Sequence, residues 1–294
     1  MPPLLHILAA TDLSAPARRA AERAAMLARQ TSATLDLLHV ADLAPLERLR
    51  QLMGATPEAL QGRVLDAAAH KLQELVDLLR QHHGVAAGTR LAAGQLTAQV
   101  ERVAREVQAD MLVCGARGES TVRHLLLGST AVRMLSTTPC PVLVVKQAPH
   151  EPYRRVLVPV DFSSASLPTI AHARCAAPTA ELVLLHVFEL PFEGHLRYAS
   201  VDPDIVGHYR IAARREASEK LDALREAAGL APEACRALVV HGDAALRIIE
   251  QEQEQECDLI AMGKHGESAL EDLLLGSVTK RVLDESQADI LVSV

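Results

Sequence analysis

Apolar positions along the chain follow two alternating patterns. Short runs rich in Val, Leu and Ile, bounded by turn residues, predict β-strands. Longer stretches with apolar residues at three- and four-residue spacing predict α-helices. In the first half, strands are predicted at 5–10, 35–40, 88–92, 110–115 and 142–146, and helices at 15–30, 57–82, 97–108 and 129–135. In the second half, strands are predicted at 156–160, 181–188, 237–240, 258–263 and 289–294.

Several of these strands are apolar on both faces. A parallel sheet covered by helices on each side produces this pattern, whereas a half-exposed sheet produces alternation. Strands and helices also alternate along the chain, which is typical of doubly wound α/β domains. We therefore expect an α/β fold.

The chain contains an internal repeat. LHILAATDLS at 5–14 aligns with RRVLVPVDFS at 154–163, and LLHV ends at Val40 and again at Val187. GARGESTVRHLLLGS at 115–129 aligns without a gap onto GKHGESALEDLLLGS at 263–277. A repeat of this length predicts two tandem domains, residues 1–147 and 153–294, joined by the linker KQAPHEP at 146–152.

Composition narrows the function. Aromatic residues make up 2% of the 294 residues, which excludes aromatic stacking platforms for single-stranded nucleic acid. A net charge of −7 argues against sequence-independent binding to nucleic acid and against binding to anionic membranes. The five cysteines show no CxxC spacing, and no apolar stretch approaches membrane-spanning length. We expect a soluble, cytoplasmic protein.

A glycine motif, G-x2-G-x9-G-S, provides the strongest chemical signal. It begins directly after a predicted strand and ends where a helix begins. Glycines allow positive φ and let backbone amides approach a phosphate, and a helix N-terminus favours an anion. The alternative is that the glycines only make turns and the serine only caps a helix. The motif residues are Gly115, Gly118, Gly128 and Ser129 in the first half, and Gly263, Gly266, Gly276 and Ser277 in the second.

Two further candidates lie at strand ends. Asp12 and Asp161 follow the first strand of each half, where a carboxylate can accept hydrogen bonds from a ribose, or can cap the next helix. Val40 and Val187 end the second strand, where backbone groups can bind an adenine edge, although their side chains also suit a core or pocket wall.

The segments VPVDFS, LLHV, the glycine motif and TPCPVLVVK at 138–146 resemble the universal stress protein family in its tandem form, and the glycine motif resembles that of its ATP-binding branch. The resemblance implies two Rossmann-like (adenine nucleotide alpha hydrolase-like) domains, each a five-stranded parallel sheet flanked by helices. They would form an internal pseudo-dimer through their last strands, and the chain could pair further as a homodimer. It also implies adenine near Val40 or Val187, ribose near Asp12 or Asp161, and phosphates at the glycine loop with Ser129 or Ser277.

The leading hypothesis is a regulatory stress-response protein that binds ATP or AMP, with or without Mg²⁺. The alternatives are a slow ATPase or phosphotransfer enzyme and a nucleotide-free interaction scaffold. No complete P-loop, Rossmann fingerprint or nucleophile elbow occurs, and no histidine set has metal-ligand spacing. Loop charges that can contact phosphate or a nucleotide-bound metal are Arg117, Glu119, Arg123, Lys264, His265 and Glu267, and residues 191–203 are a candidate lid.

Overall fold

The chain divides by its internal contacts into two units. A computed structural model describes residues 3–43, 58–116, 128–190, 203–265 and 275–294. The first unit comprises Met1–Pro152 together with Asp289–Val292 and Val294, and the second comprises Tyr153–Ala288 with Ser293.

The first unit is built on a parallel sheet with the strand order β3-β2-β1-β4-β5. Its strands are β1 (His6–Ala10), β2 (Thr34–Ala41), β3 (Ala87–Ala93), β4 (Met111–Gly115) and β5 (Val142–Val145). Its described helices are α1 (Ala15–Thr31), α2 (Glu58–His83), α3 (Leu96–Glu106) and α4 (Ser129–Thr137). Strand β10 (Asp289–Ser293) pairs antiparallel with β5, with Val142 opposite Val292 and Val144 opposite Ile290.

The second unit repeats the same order in its parallel strands, β8-β7-β6-β9. These strands are β6 (Arg155–Pro159), β7 (Glu181–Phe188), β8 (Cys235–His241) and β9 (Leu259–Gly263). The described helices are α5 (Ser166–Ala176), α6 (Pro203–Ala227), α7 (Ala244–Glu254) and α8 (Ser277–Glu285), with a 3₁₀ turn at Pro232–Ala234.

Aliphatic side chains form both cores, as the shortage of aromatic residues requires. Central strands such as β1, β4 and β6 are almost completely buried, because helices cover both faces of each sheet. Local sequence sets the helix ends. Ser14 caps α1 by accepting a hydrogen bond from Ala17 N at 3.3 Å, and Ser32 ends that helix with a left-handed φ of 59°.

The α/β class is confirmed, and all ten predicted strands are present with ends within two residues of those expected. Among the described residues, no helix combines the length and the apolar character needed to cross a bilayer.

Candidate functional site

The strand order reverses once in each unit. In the first unit β2 and β3 lie on one side of β1 while β4 lies on the other, and β6 separates β7 and β8 from β9 in the same way. Such a reversal opens a crevice beyond the carboxyl ends of the two central strands, where ligands bind in open α/β sheets. Those predicted site residues that the structure describes lie at or just after the carboxyl ends of β1, β2 and β4 in one unit and of β6, β7 and β9 in the other, so they border one crevice in each unit.

A carboxylate organises the turn after the first strand of each unit. In the first unit Asp12 Oδ1 accepts a hydrogen bond from Ser14 N at 3.0 Å. In the second unit Asp161 Oδ1 accepts from Ser163 N at 3.0 Å, from Ser163 Oγ at 2.6 Å and from Ser166 Oγ at 3.3 Å. Both aspartates therefore stand at the predicted position, and each accepts a hydrogen bond from the backbone N–H two residues further along the chain.

Neither aspartate is the helix N-cap, so the capping alternative is wrong. The N-cap of α1 is Ser14 and that of α5 is Ala165. Both aspartates lie further upstream, so their carboxylates order the turn at the mouth of the crevice rather than satisfy the first helical N–H groups.

The residue after each aspartate has a left-handed backbone. Leu13 has φ 66° and Phe162 has φ 64°. Bulky side chains rarely adopt this conformation, which costs of order 1–3 kcal/mol and clusters at functional sites. Its occurrence at both equivalent positions shows that each domain retains the same strained turn.

A histidine from the second strand supports each turn. His39 Nδ1 lies 2.8 Å from Thr11 O, and His186 Nδ1 lies 2.9 Å from Val160 O. The His186 ring also packs on Phe162 with centroids 4.2 Å apart. Burial lowers the pKa of His186, while its hydrogen bond to the Val160 carbonyl and the charge of Asp161 oppose that shift. In both contacts the partner is a carbonyl oxygen, so the ring donates from Nδ1.

Sequence reasoning missed these two histidines, since it treated them only as strand residues before the pocket valines. The available signal was their duplication within LLHV, because a polar residue retained at equivalent places in two otherwise apolar strands needs a partner.

The backbone of Val40 faces the crevice. Leu38 O accepts a hydrogen bond from Thr11 N at 2.9 Å, so the polar groups of Leu38 point towards β1. Successive residues of a parallel strand direct these groups to opposite neighbours, so Val40 points the same way as Leu38. Strand β1 ends at Ala10, in register with Leu38, and Val40 therefore lies beyond its paired region.

Val187 repeats this geometry in the second unit. Leu185 O accepts a hydrogen bond from Val160 N at 2.9 Å, and Pro159, the last residue of β6, is in register with Leu185. Val187 consequently directs its N–H and C=O past the end of β6. Both valines are half-buried, as expected for residues that line a pocket wall.

The two glycine loops are closed by equivalent hydrogen bonds. Gly115 ends β4, and Gly128 N donates to Ala116 O at 2.9 Å across the loop. Gly263 ends β9, and Gly276 N donates to Lys264 O at 3.0 Å. Each loop thus begins at the carboxyl end of its strand, and the residue before the next helix is hydrogen-bonded to the residue that follows the strand.

The described glycines of the motif do not have positive φ, which corrects one sequence argument. Gly128 has φ −63° and Gly276 has φ −59°, and both are the N-caps of their helices. The serines are the first helical residues, so the idea that they are the caps is also wrong. A Cβ on Gly276 would have its nearest contact at 3.5 Å, so the protein's own packing does not demand glycine there.

Gly263 is closely packed. A Cβ at this position would lie 3.1 Å from His265 O and 3.4 Å from Ala165 Cβ. The carbonyl of Gly263 also accepts a hydrogen bond from the buried Thr279 Oγ1 at 3.0 Å. Ala131 occupies the equivalent place in the first domain, so the second loop has an additional side-chain contact.

The remaining predicted loop residues cannot be placed against this geometry. Gly118 and Gly266 lie outside the described residues, as do Arg117, Glu119, Arg123, Glu267 and the candidate lid at 191–202. Ser277 is exposed at the start of α8, and Ser129 begins α4.

A cavity of about 320 Å³ borders the turn after Asp12 in the first unit. Its lining includes Leu13 and Ser14 from the turn and the charged side chains of Arg18, Lys71 and Glu74. Two of these three charges are cationic, which suits an anionic group beside the turn. Within the described ranges, no group of three or more His, Cys, Asp or Glu residues has the arrangement of a metal site.

Fold and site together define a tandem α/β protein with one switch-point crevice in each domain. The family model described as universal stress protein family matches residues 4–146 and again residues 152–293. The chain therefore belongs to the universal stress protein family, with two copies of its domain.

Individual relatives agree with this assignment. A universal stress protein of Mycolicibacterium smegmatis is 26% identical over 304 residues, which cover 97% of this chain and 96% of that protein. One from Synechocystis is 32% identical over 140 residues, covering 47% of this chain and 83% of that protein. The crystal structure of a universal stress protein from Archaeoglobus fulgidus shares the fold with a TM-score of 0.67 at 20% identity, covering 99% of this chain and 96% of its own.

Proposed function

We propose that each domain binds an adenine nucleotide, ATP or AMP, and that the protein acts as a nucleotide-responsive regulator in the stress response. One observation carries the proposal: each switch-point crevice is surrounded by the same three elements. These are a carboxylate after the first strand, outward backbone groups at the end of the second strand, and a glycine loop closed onto itself before a helix.

The chemistry of these elements matches the parts of the nucleotide. Asp12 and Asp161 offer acceptors for ribose hydroxyls, and the backbones of Val40 and Val187 offer the paired donor and acceptor that an adenine edge requires. The N-termini of α4 and α8 favour phosphate through their unpaired N–H groups and dipoles. The absence of a Cβ at Gly276 leaves the approach to α8 open.

The test is to count the nucleotide that denatured, freshly purified protein releases. Chromatography should recover adenine nucleotide at one or two per chain. Added ATP or AMP at 100 times Kd should increase the free energy of unfolding by about 2.7 kcal/mol and so raise the unfolding temperature. Parallel samples with Mg²⁺ and with a chelator test whether the nucleotide requires the metal.

Matched variants assign the sites. Gly128→Asp and Gly276→Asp each keep an allowed φ and place a carboxylate at the predicted phosphate position. Each should reduce the recovered nucleotide by the content of one site, and the double variant should contain none. Gly62→Asp is the control, since its Cβ would enter open space on the exposed face of α2.

The results also distinguish the other functions. Conversion of ATP to ADP that disappears in Asp161→Ala, with the fold retained, would indicate a slow hydrolase. Absence of bound nucleotide together with no stabilisation by ATP or AMP would contradict nucleotide binding and favour a scaffold.

A further inference from the structure

The outer edge of the second unit carries a basic groove that the nucleotide site does not use. Among the described strands, β8 has a neighbour on one side only, β7. Between its other side and α6 lies a cavity of about 510 Å³. Five consecutive β8 residues, 235–239, line it, so the groove follows the strand for about 13 Å.

The open edge offers backbone hydrogen-bonding groups to this groove. Gly242 N donates to Phe188 O at 3.0 Å, which shows that even-numbered residues along β8 face β7. Because the direction alternates, the N–H and C=O groups of Ala237 and Val239 point away from β7. Both residues line the groove. A row of alternating donors and acceptors matches the backbone of an extended peptide, whereas a phosphate would need donors alone.

Three arginines give the groove its charge. Arg214, Arg225 and Arg236 line it together with one carboxylate, Asp222. Arg225 Nη2 contacts Asp222 Oδ1 at 2.8 Å, and Arg236 Nε contacts Glu181 Oε1 at 2.6 Å. Arg214 is exposed and makes no ion pair with any described residue.

The sign of this charge is opposite to that of the whole chain, which carries −7. A local cationic surface on an acidic protein attracts an acidic partner while the remainder of the surface repels it. The equivalent edge in the first unit, β3, lacks this set, because Gly88 and Arg90 stand at the positions of Arg236 and Leu238.

From the open backbone edge and the unpaired Arg214, we propose that the groove between α6 and β8 binds an extended acidic peptide segment of a partner protein. The segment adds as a strand alongside β8. Its main chain bonds to Ala237 and Val239, and its carboxylates pair with Arg214 and Arg225.

The experiment uses fluorescence anisotropy of the labelled peptide Glu-Val-Glu-Val-Glu-Val-Glu with the full chain at low salt. Saturable binding is expected, with loss in high salt because exposed ion pairs are screened. The peptide with Lys in place of Glu should not bind. Arg214→Glu should weaken binding by about tenfold, and its exposed helical position leaves the fold unaffected.

Proline substitution tests the strand pairing itself. Ala237→Pro removes an outward N–H without breaking the ladder to β7, as proline is tolerated at a free strand edge. It should weaken binding by about tenfold or more. Thr89→Pro is the matched control, because Thr89 occupies the same outward position on β3 and should leave binding unchanged.

No saturable binding by wild type, or equal effects of Ala237→Pro and Thr89→Pro, would overturn the proposal. Competition by inorganic phosphate as effective as that by unlabelled peptide would instead indicate an anion site. A chain dimer that only Ala237→Pro dissociates would show that a second copy occupies the edge.

Discussion

A buried carboxylate at the start of β10 organises the backbone after β5. Asp289 is fully buried, and its Oδ1 accepts hydrogen bonds from Lys146 N at 2.7 Å and Gln147 N at 3.0 Å. Arg23 Nε lies 3.4 Å from Asp289 Oδ2, close enough for ion pairing but misaligned for a hydrogen bond. Arg23 Nη1 donates to Glu151 O at 2.8 Å. Asp289→Ala would therefore remove a counter-charge from one buried cation and an acceptor from two backbone donors.

The expected loss of stability can be worked out from these contacts of Asp289. Removing one partner of a buried ion pair costs about 3–5 kcal/mol, because the remaining charge loses its compensation. Each backbone donor left without an acceptor costs roughly 1–3 kcal/mol where it stays buried. Because Lys146 is half-buried and Gln147 is exposed, water can satisfy their N–H groups, and the ion pair dominates the loss. We therefore expect Asp289→Ala to destabilise the protein by about 4 kcal/mol. Asp289→Asn keeps an acceptor at Oδ1 but removes the charge that compensates Arg23, so it should cost about 3 kcal/mol.

Urea unfolding followed by circular dichroism measures these differences. Glu219→Gln is the control, since its exposed i,i+4 pair with Arg215 should contribute less than about 0.5 kcal/mol. The double variant Arg23→Met/Asp289→Asn should cost at least about 1 kcal/mol less than the sum of the single variants, because the charges are coupled. A loss below about 1 kcal/mol for Asp289→Ala, or strict additivity, would refute the reasoning.

Three further predictions address the second crevice, the histidines and the thiols. Thr279→Ala removes the hydrogen bond to Gly263 O and should lower the free energy of unfolding in urea by about 1–2 kcal/mol. In calorimetric titration it should also weaken nucleotide binding at the second site alone. Equal weakening at both sites would contradict this prediction. Burial lowers the pKa of His186 from 6.5, so just below pH 6.5 the unfolded state binds more protons than the folded state, and stability should fall on acidification through that range. In thermal melts at several pH values, His186→Asn should reduce this fall. An unchanged dependence of stability on pH would exclude His186 as its source. Burial raises the thiol pKa to about 12 at Cys114, Cys140 and Cys257. An aromatic disulfide reagent at pH 8 should therefore modify the half-buried Cys175 well before these three. Rapid modification of the three buried thiols in the native state would contradict this prediction.

The fold class could be predicted from the sequence because the internal repeat shows each strand and helix pattern twice. Each strand had a counterpart, so weak runs such as 88–92 and 237–240 could be assigned from their position in the repeat. Strand ends were less predictable. β8 extends to Cys235–His241, since an edge strand admits polar residues such as Arg236 that interrupt an apolar run.

Parts of the candidate site were beyond sequence reasoning for physical reasons. Composition identifies a glycine but not its φ, and so Gly128 and Gly276 were given a conformational role that they do not have. Apolar periodicity assigns a residue to a face of the sheet but does not identify its hydrogen-bond partner. The contact of His186 with Val160 O was missed for that reason.

The segment before the last strand shows how the two halves diverged. Pro139 and Pro141 precede β5, and Gln287 and Asp289 occupy the equivalent places before and at the start of β10. Proline has no N–H, whereas each replacement adds a donor that needs an acceptor. Glu252 supplies one, since its Oε1 accepts from Gln287 N at 3.0 Å.

The same Glu252 oxygen accepts a hydrogen bond from Ala288 N at 2.7 Å, and the first domain has Ala104 at the equivalent position. The first domain therefore has a proline-based turn where the second has one held by a buried carboxylate. Asp289 then provides the acceptor for the backbone after β5 and the counter-charge for Arg23, both in the first unit. The last strand of the second repeat thus contributes a buried carboxylate to polar groups of the first.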